Sequence, residues 1–395
     1  MKRPLIGLLL LLGCGDDDAM TDAALDAPTS DAPIFGVSVV TAASPQTAFL
    51  AFVSAIDGSV ELDVTNAIEI PGAGVAVAGP NPGEFFTTSG DAPILTRWTI
   101  DAAGQPTPSG EISFERFSTS ATRARPANVI FPSPTRGYVL DTLTRRMVRW
   151  NPQELLIEDS VSLEALELSG FIPLVDRAVT REGLIVVPVT YVQFSGTIGP
   201  QSRLLVIDPA SDSIERVVDI DCAAVSHLFV EPDGTLYAAS DSASITNRLG
   251  GLSDGDECIV RFDAGSFEAS ERTLFSEALG GQQGGGLYQA VGGFAFARVL
   301  DETLAPSEPM AIGEINATPL FRWARIGLGS AVSPVFFWDM TPIAQSSATF
   351  VVDGRSWGLA PGRDFAGGRL VDLSGDEPVE GLAVDGIVVN VFRLR

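Results

Sequence analysis

Two short phrases decide how this sequence folds: Gly183-Leu184-Ile185-Val186-Val187, and after it Leu205-Val206-Ile207-Asp208. The first is a β-branched and aliphatic run opened by a glycine, and the second is a similar run closed by an aspartate. An Asp or Asn at the end of a strand suits a tight turn, because its side chain can hydrogen-bond the backbone two residues on. The first phrase recurs as Gly83-Glu84-Phe85-Phe86, Gly137-Tyr138-Val139-Leu140, Gly234-Thr235-Leu236-Tyr237 and Gly293-Phe294-Ala295-Phe296. The second recurs as Val60-Glu61-Leu62-Asp63, Arg97-Trp98-Thr99-Ile100-Asp101, Val148-Arg149-Trp150-Asn151, Val260-Arg261-Phe262-Asp263, Phe321-Arg322-Trp323 and Arg369-Leu370-Val371-Asp372. Helical periodicity is scarce, and Val161 to Leu168 is its best candidate.

The starts of the first phrase are spaced by roughly 45 to 60 residues, the interval of one four-stranded propeller blade. The pattern therefore predicts an all-β chain, a β-propeller of seven blades of four-stranded antiparallel sheet, spanning residues 34–395. The strand near Phe35 to Val40 is expected to complete the last blade beside Ile387 to Phe392. With its strand-ending Val206-Ile207-Asp208-Pro209, the chain resembles the seven-bladed propellers of bacterial cell envelopes. Some lipoproteins of that kind accompany siderophore or metal uptake, so the resemblance implies such an accessory role as one alternative.

The first residues speak to location. Lys2 and Arg3 precede an apolar run from Leu5 to Leu12, too short to cross a bilayer as a helix, which takes about 20 apolar residues. Leu11-Leu12-Gly13-Cys14 resembles the bacterial lipobox, which implies a cleaved signal peptide over residues 1–13 and a lipid on Cys14. Residues 14–33, nearly all Ala, Asp, Thr, Ser and Pro, read as a disordered acidic tether. Gly15, where an inner-membrane retention signal would carry Asp, favours the outer membrane in the resemblance. The expected location is the cell envelope, with the domain lipid-anchored on the periplasmic side or at the cell surface.

Charge and scarce residues exclude several functions. With 50 acidic against 25 basic residues the formal charge is -25, which repels phosphate backbones and argues against nucleic-acid binding. Lys2 is the only lysine, so the mature chain has no Schiff-base or phosphate-loop lysine. His227, the only histidine, lies in the strand-like run Val225-Ser226-His227-Leu228-Phe229-Val230 and reads as a structural residue rather than a catalytic one. No GxSxG elbow that precedes a helix is expected anywhere in the chain.

The remaining cysteines, Cys222 and Cys258, start the first and third strands of one blade and are expected to form a disulfide. The Arg-aromatic pairs at Arg97, Arg149, Arg261 and Arg322 recur at equivalent places and read as blade-packing elements. Connections between the two repeated phrases are short at Ser89 to Pro93 and Thr142 to Arg145. They lengthen at Tyr191 to Ser202, Asp241 to Glu257, Leu300 to Ala317 and Gly354 to Gly368. A lip of long loops on one face is the expected binding site, with Tyr191, Phe194, Arg248, Asp254, Asp256 and Trp357 as its candidate residues. Asp254-Gly255-Asp256-Glu257 offers oxygen ligands and makes calcium the one cofactor to consider, although a solvated acidic turn is the plainer reading. Gly280 to Gly286 lacks the Lys-Ser or Lys-Thr of a phosphate loop and reads as a flexible connection between blades. With no convergent catalytic set, the expected function is a monomeric, non-catalytic binding module for a small molecule or protein. A calcium-dependent propeller hydrolase or lactonase is the enzyme alternative.

Overall fold

A computed structural model describes residues 32–41, 47–58, 60–117, 128–252, 255–308, 310–329, 332–346, 348–365 and 367–395. Cys14, the tether and Asp254 lie outside the described residues. The chain forms seven antiparallel sheets of four strands arranged as a seven-bladed β-propeller. Each sheet runs outward from an inner strand, and the inner strands of neighbouring blades touch around a central channel.

Blade 1 is shared between the chain ends. Its inner strand, Ile387–Arg393, pairs antiparallel with Phe35–Val40, which is followed outward by Ala48–Val53 and Ile68–Ile70. The expected pairing is present, and the amino-terminal part supplies three strands to it. Hydrogen-bonding the two ends into one sheet closes the ring and leaves only short edges. Blades 2 to 7 follow in chain order, each contributing an inner, second, third and outer strand.

The repeated phrases map onto this scheme. All five glycine-opened runs lie on second strands: Glu84–Thr88, Arg136–Asp141, Leu184–Val192, Leu236–Ser240 and Phe294–Leu300. Six of the other runs lie on third strands: Ile94–Ile100, Arg146–Asn151, Ser202–Asp208, Cys258–Phe262, Phe321–Gly327 and Gly368–Asp372. The exception is Val60 to Asp63, which forms no strand; Glu61 makes only an isolated bridge to Ala383. Val161 to Leu168 is no helix either, being the end of strand Leu156–Ser162 and a single turn at Glu164–Leu166.

The core lies between blades rather than at one centre. Trp150 of blade 3 is fully buried with Phe86 of blade 2 edge-on at 5.3 Å and Phe114 at 5.7 Å. The Arg of each pair points to the other side of its strand, as strand alternation requires. Arg97 reaches across to the carbonyls of Pro152 (3.1 Å) and Gln153 (2.8 Å) in the next blade, and Arg149 pairs with Asp212 of blade 4 at 2.6 Å. Arg97 and Arg149 thus link their blades to the next one, while Arg261 and Arg322 pair within their own blades, with Asp263 and Asp301.

Second-to-third-strand connections all leave the same face, here called the upper face. The long ones belong to blades 4, 5 and 6, covering 193–201, 241–257 and 301–320. The fourth expected long loop is absent, because Gly354 to Gly368 is mostly the strand Arg355–Pro361. Two of the loops carry helices, Ala243–Leu249 and Ile312–Ala317, which pack together through Ile245, Leu249, Ile312 and Ile315. The glycine stretch also differs from expectation: Gly284–Gln289 is the inner strand of blade 6. A Cβ at Gly285 would come within 2.7 Å of the Ser242 nitrogen, so only glycine lets this strand pass so close to blade 5.

Candidate functional site

Six of the inner strands are continuous, and that of blade 4 is not. It comprises Ile172–Val175 and Val179–Arg181, both paired with the second strand Leu184–Val192. Pro188 sits in the middle of that second strand and has no N–H to give to the ladder. Its carbonyl accepts the Asp176 N–H at 3.1 Å, and the register resumes at Val179 opposite Val186. Arg177 and Ala178 therefore stand opposite Val187 alone, which is a β-bulge. Such bulges re-aim side chains, and this one turns Arg177 into the channel.

The guanidinium crosses the channel. Its Nη2 donates to Asn390 Oδ1 of blade 1 at 2.6 Å, and its central carbon lies 5.4 Å from the Phe350 ring of blade 7. Asn390 is itself fixed, since its Nδ2 donates to the Ala76 carbonyl at 2.9 Å while the Ala76 N–H donates to Ser38 Oγ at 3.2 Å. Three blades thus meet at one arginine. Asp176 turns its carboxylate back onto the Arg177 main-chain N–H at 2.7 Å, and no carboxylate forms an ion pair with the guanidinium among the described residues. Burial pushes the Asp176 carboxyl above its ordinary value, with the charge of Asp241 adding to the effect. Burial also lowers the Arg177 pKa, against the pull of Asp176.

On the lower side of Arg177 the channel opens into a cavity of about 390 Å³ bounded by blades 1, 2, 3, 4 and 7. Ala78, Ile130, Ala178 and Val351 line it, with Arg177, Asn390, Asp353 and Arg393 as its polar side chains. Val351 is 63% exposed although it lies on an inner strand. At the rim, Arg393 pairs with Asp353 at 2.9 Å.

Nearby, His227 is arranged differently. Its Nε2 lies 2.9 Å from Asp241 Oδ2, and Asp241 Oδ1 accepts the Ala243 N–H at 2.7 Å and the Gln345 amide at 2.9 Å. Burial alone would raise the Asp241 carboxyl, but the His227 hydrogen bond and charge, with Arg298, hold it below its ordinary value. The imidazole is 2% exposed, edge-on to Tyr288 at 5.2 Å. It is buried in the wall between blades 5 and 6.

The loop residues singled out from sequence do not converge. Tyr191 is fully buried on its strand, donating its hydroxyl to the Leu166 carbonyl at 2.9 Å beneath Arg203. Trp357 is also core, on the second strand of blade 7. Arg248 is held by Glu257 (3.0 Å), Gln283 (3.0 Å) and the Gly255 carbonyl (3.3 Å), so its charge secures the loop. Asp256 is exposed and reaches Arg272 at 3.5 Å, while Phe194 stands free at 98% exposure. No cluster of three His, Cys, Asp or Glu side chains suited to a metal occurs among the described residues. Cys222 and Cys258 are joined as a disulfide, with Cα atoms 5.8 Å apart.

Sequence reasoning missed Asp176, Arg177 and Asn390. The available signal was a charged pair between two apolar runs, facing a strand interrupted by Pro188.

Comparison with known proteins gives the fold. No protein-family model and no curated protein matches the sequence. Among solved structures, the chain is similar to a putative 6-phosphogluconolactonase from Bacteroides uniformis, at 10% identity and TM-score 0.51, covering 92% of this chain and 100% of that one. It is similar also to a protein from Lactobacillus plantarum, at 10% identity and TM-score 0.52, covering 92% and 99%. At such identity the likeness defines a class, the seven-bladed β-propellers, and nothing narrower.

Proposed function

We propose that this chain is a non-catalytic propeller of the bacterial cell envelope that binds a small ligand in its central channel. It is tethered by a lipid on Cys14, in the outer membrane, and acts as a monomer. The observation that carries the binding reading is Arg177, aimed into the channel by a bulge and held by a blade on the far side. A protein that needed only a stable ring would gain nothing from a partly desolvated guanidinium with one amide partner, since such groups oppose folding. The acidic surface argues against nucleic acid as a partner.

The calcium-dependent hydrolase reading is supported less well. Calcium takes six to eight oxygen ligands, largely carboxylate and carbonyl. The channel instead offers few oxygen ligands, with the Asn390 amide oxygen taken by Arg177, the Asp176 carboxylate turned onto the main chain, and a guanidinium that repels a divalent cation.

Native mass spectrometry of the chain recovered from its own cell envelope tests the proposal. A small-molecule adduct that disappears in Ala78→Phe, which fills the cavity, is the expected result. A bare protein mass, or an adduct indifferent to that substitution, would overturn the channel as the binding site.

A further inference from the structure

We propose that the lower compartment of the channel takes a small monocarboxylate with an apolar body, its carboxylate on Arg177 and its body against Ala78, Ile130, Ala178 and Val351. This deepens the binding reading above by naming the ligand class.

The chemistry at the inner end sets the charge. Arg177 donates one hydrogen bond, to Asn390, and has no ion-pair partner within the described residues. A guanidinium presents five N–H donors in a planar fork that matches a carboxylate two-pronged. The Asn390 bond and the Phe350 ring fix the direction of that fork before any ligand arrives, so little side-chain freedom remains to be lost on binding. A cationic group would meet the same guanidinium as repulsion. A dianion such as a phosphate monoester would find only one cation without an ion-pair partner, because Arg393, which lines the same cavity, is already paired with Asp353.

The walls set the rest of the molecule. The four wall side chains are aliphatic and offer no hydrogen bond, and Val351 is 63% exposed. Each methylene covered there leaves water for an aliphatic surface, which favours binding. A cavity near 390 Å³ lies at the small end of the range for ligand sites, roughly 300 to 1,000 Å³, which suits an acid of modest length. The overall charge of -25 does not forbid an anion, because surface charge is screened over about 8 Å at physiological salt while the guanidinium acts at contact.

The test measures octanoate, octanol and octylamine by calorimetry on the unlipidated full chain, Cys14→Ser. Octanoate is expected to bind at least tenfold more tightly than either analogue, and Arg177→Met to erase that preference. Equal binding of octylamine or octanol to the parent chain would overturn the carboxylate assignment while leaving a channel site in place. Octanoate preference that survives Arg177→Met would overturn the role of Arg177. Failure of all three probes would overturn the ligand class, with the adduct experiment above then deciding whether the channel binds anything. If Arg177→Met does not fold, the ranking of the three probes on the parent chain decides the matter.

Discussion

Two acid–base pairs lie close together in this propeller and have opposite characters. Asp241 and His227 face each other at 2.9 Å, the aspartate takes two further hydrogen bonds, and the imidazole is sealed. Asp176 and Arg177 are adjacent in sequence, yet their charged groups turn away from each other, one to the main chain and one across the channel. The first pair completes a wall. The second keeps its charge available, and the direction of the carboxyl shifts records the difference: Asp241 is held down and Asp176 is pushed up. Structural and functional polarity can thus be told apart by where each group's hydrogen bonds end.

The largest effect should come from breaking the closed pair. Asp241→Ala leaves a buried imidazole and the Gln345 amide without their acceptor, and removing one partner of a buried pair costs about 3 to 5 kcal/mol. Urea denaturation should show a loss of that size, with the octanoate preference intact in the folded fraction. A loss comparable to an ordinary surface substitution would show that the pair is not the structural one.

The disulfide comes next, because it braces the same corner. Ser202 Oγ donates to the Cys222 carbonyl at 2.9 Å, the Cys258 N–H donates to Ser240 Oγ at 3.0 Å, and Asp241 follows directly. Its loop spans a sequence separation of 36, for which chain entropy gives about 3 to 4 kcal/mol. Replacing both cysteines by serine should lower stability by about that amount in denaturant. Binding in the lower compartment, which blade 5 does not line, should be unaffected. A binding defect as large as the stability defect would tie the two regions together and weaken the contrast.

The same contrast explains what could be read from the sequence. Second and third strands carry paired ladders on both sides, so they need continuous apolar runs and defined turns, and Gly183 to Val187 and Leu205 to Asp208 show both. Inner strands edge the channel, and two of them are short or broken. Ala76–Ala78 has three residues and the blade 4 strand is interrupted, so neither offers a period to find. Gly284 to Gly286 looked like a linker because tight packing, of Gly284 against Leu279 and the Arg298 carbonyl and of Gly285 against Asp241 and Ser242, selects glycine just as flexibility does. Tyr191 and Trp357 looked like loop aromatics because the strands extend further than their apolar runs suggest. The channel arginine was hidden for a further reason: its partner Asn390 is 213 residues away, and only ring closure brings them together.

The smallest effect should come from the open pair, and its sign is opposite. A carboxyl whose folded pKa lies above the unfolded value of 3.8 binds protons more tightly when folded, so it favours folding at low pH. That contribution is complete below the unfolded pKa and is lost as pH rises through the folded one, above which the burial of the carboxyl opposes folding. Asp176→Asn removes the penalty while preserving shape, so it should raise stability at pH 7 by less than Asp241→Ala lowers it. The gain should shrink as pH falls and vanish below 3.8, where Asp176 is protonated in both states. Asp241 follows the reverse course: its stabilisation is present above 3.8 and is lost as pH falls through its lowered folded value. Denaturation of the Asp176→Asn and parent chains across that range separates the two. A destabilised Asp176→Asn at neutral pH would mean that the carboxylate supports the bulge, and Asp176 would then belong with Asp241 among the structural acids.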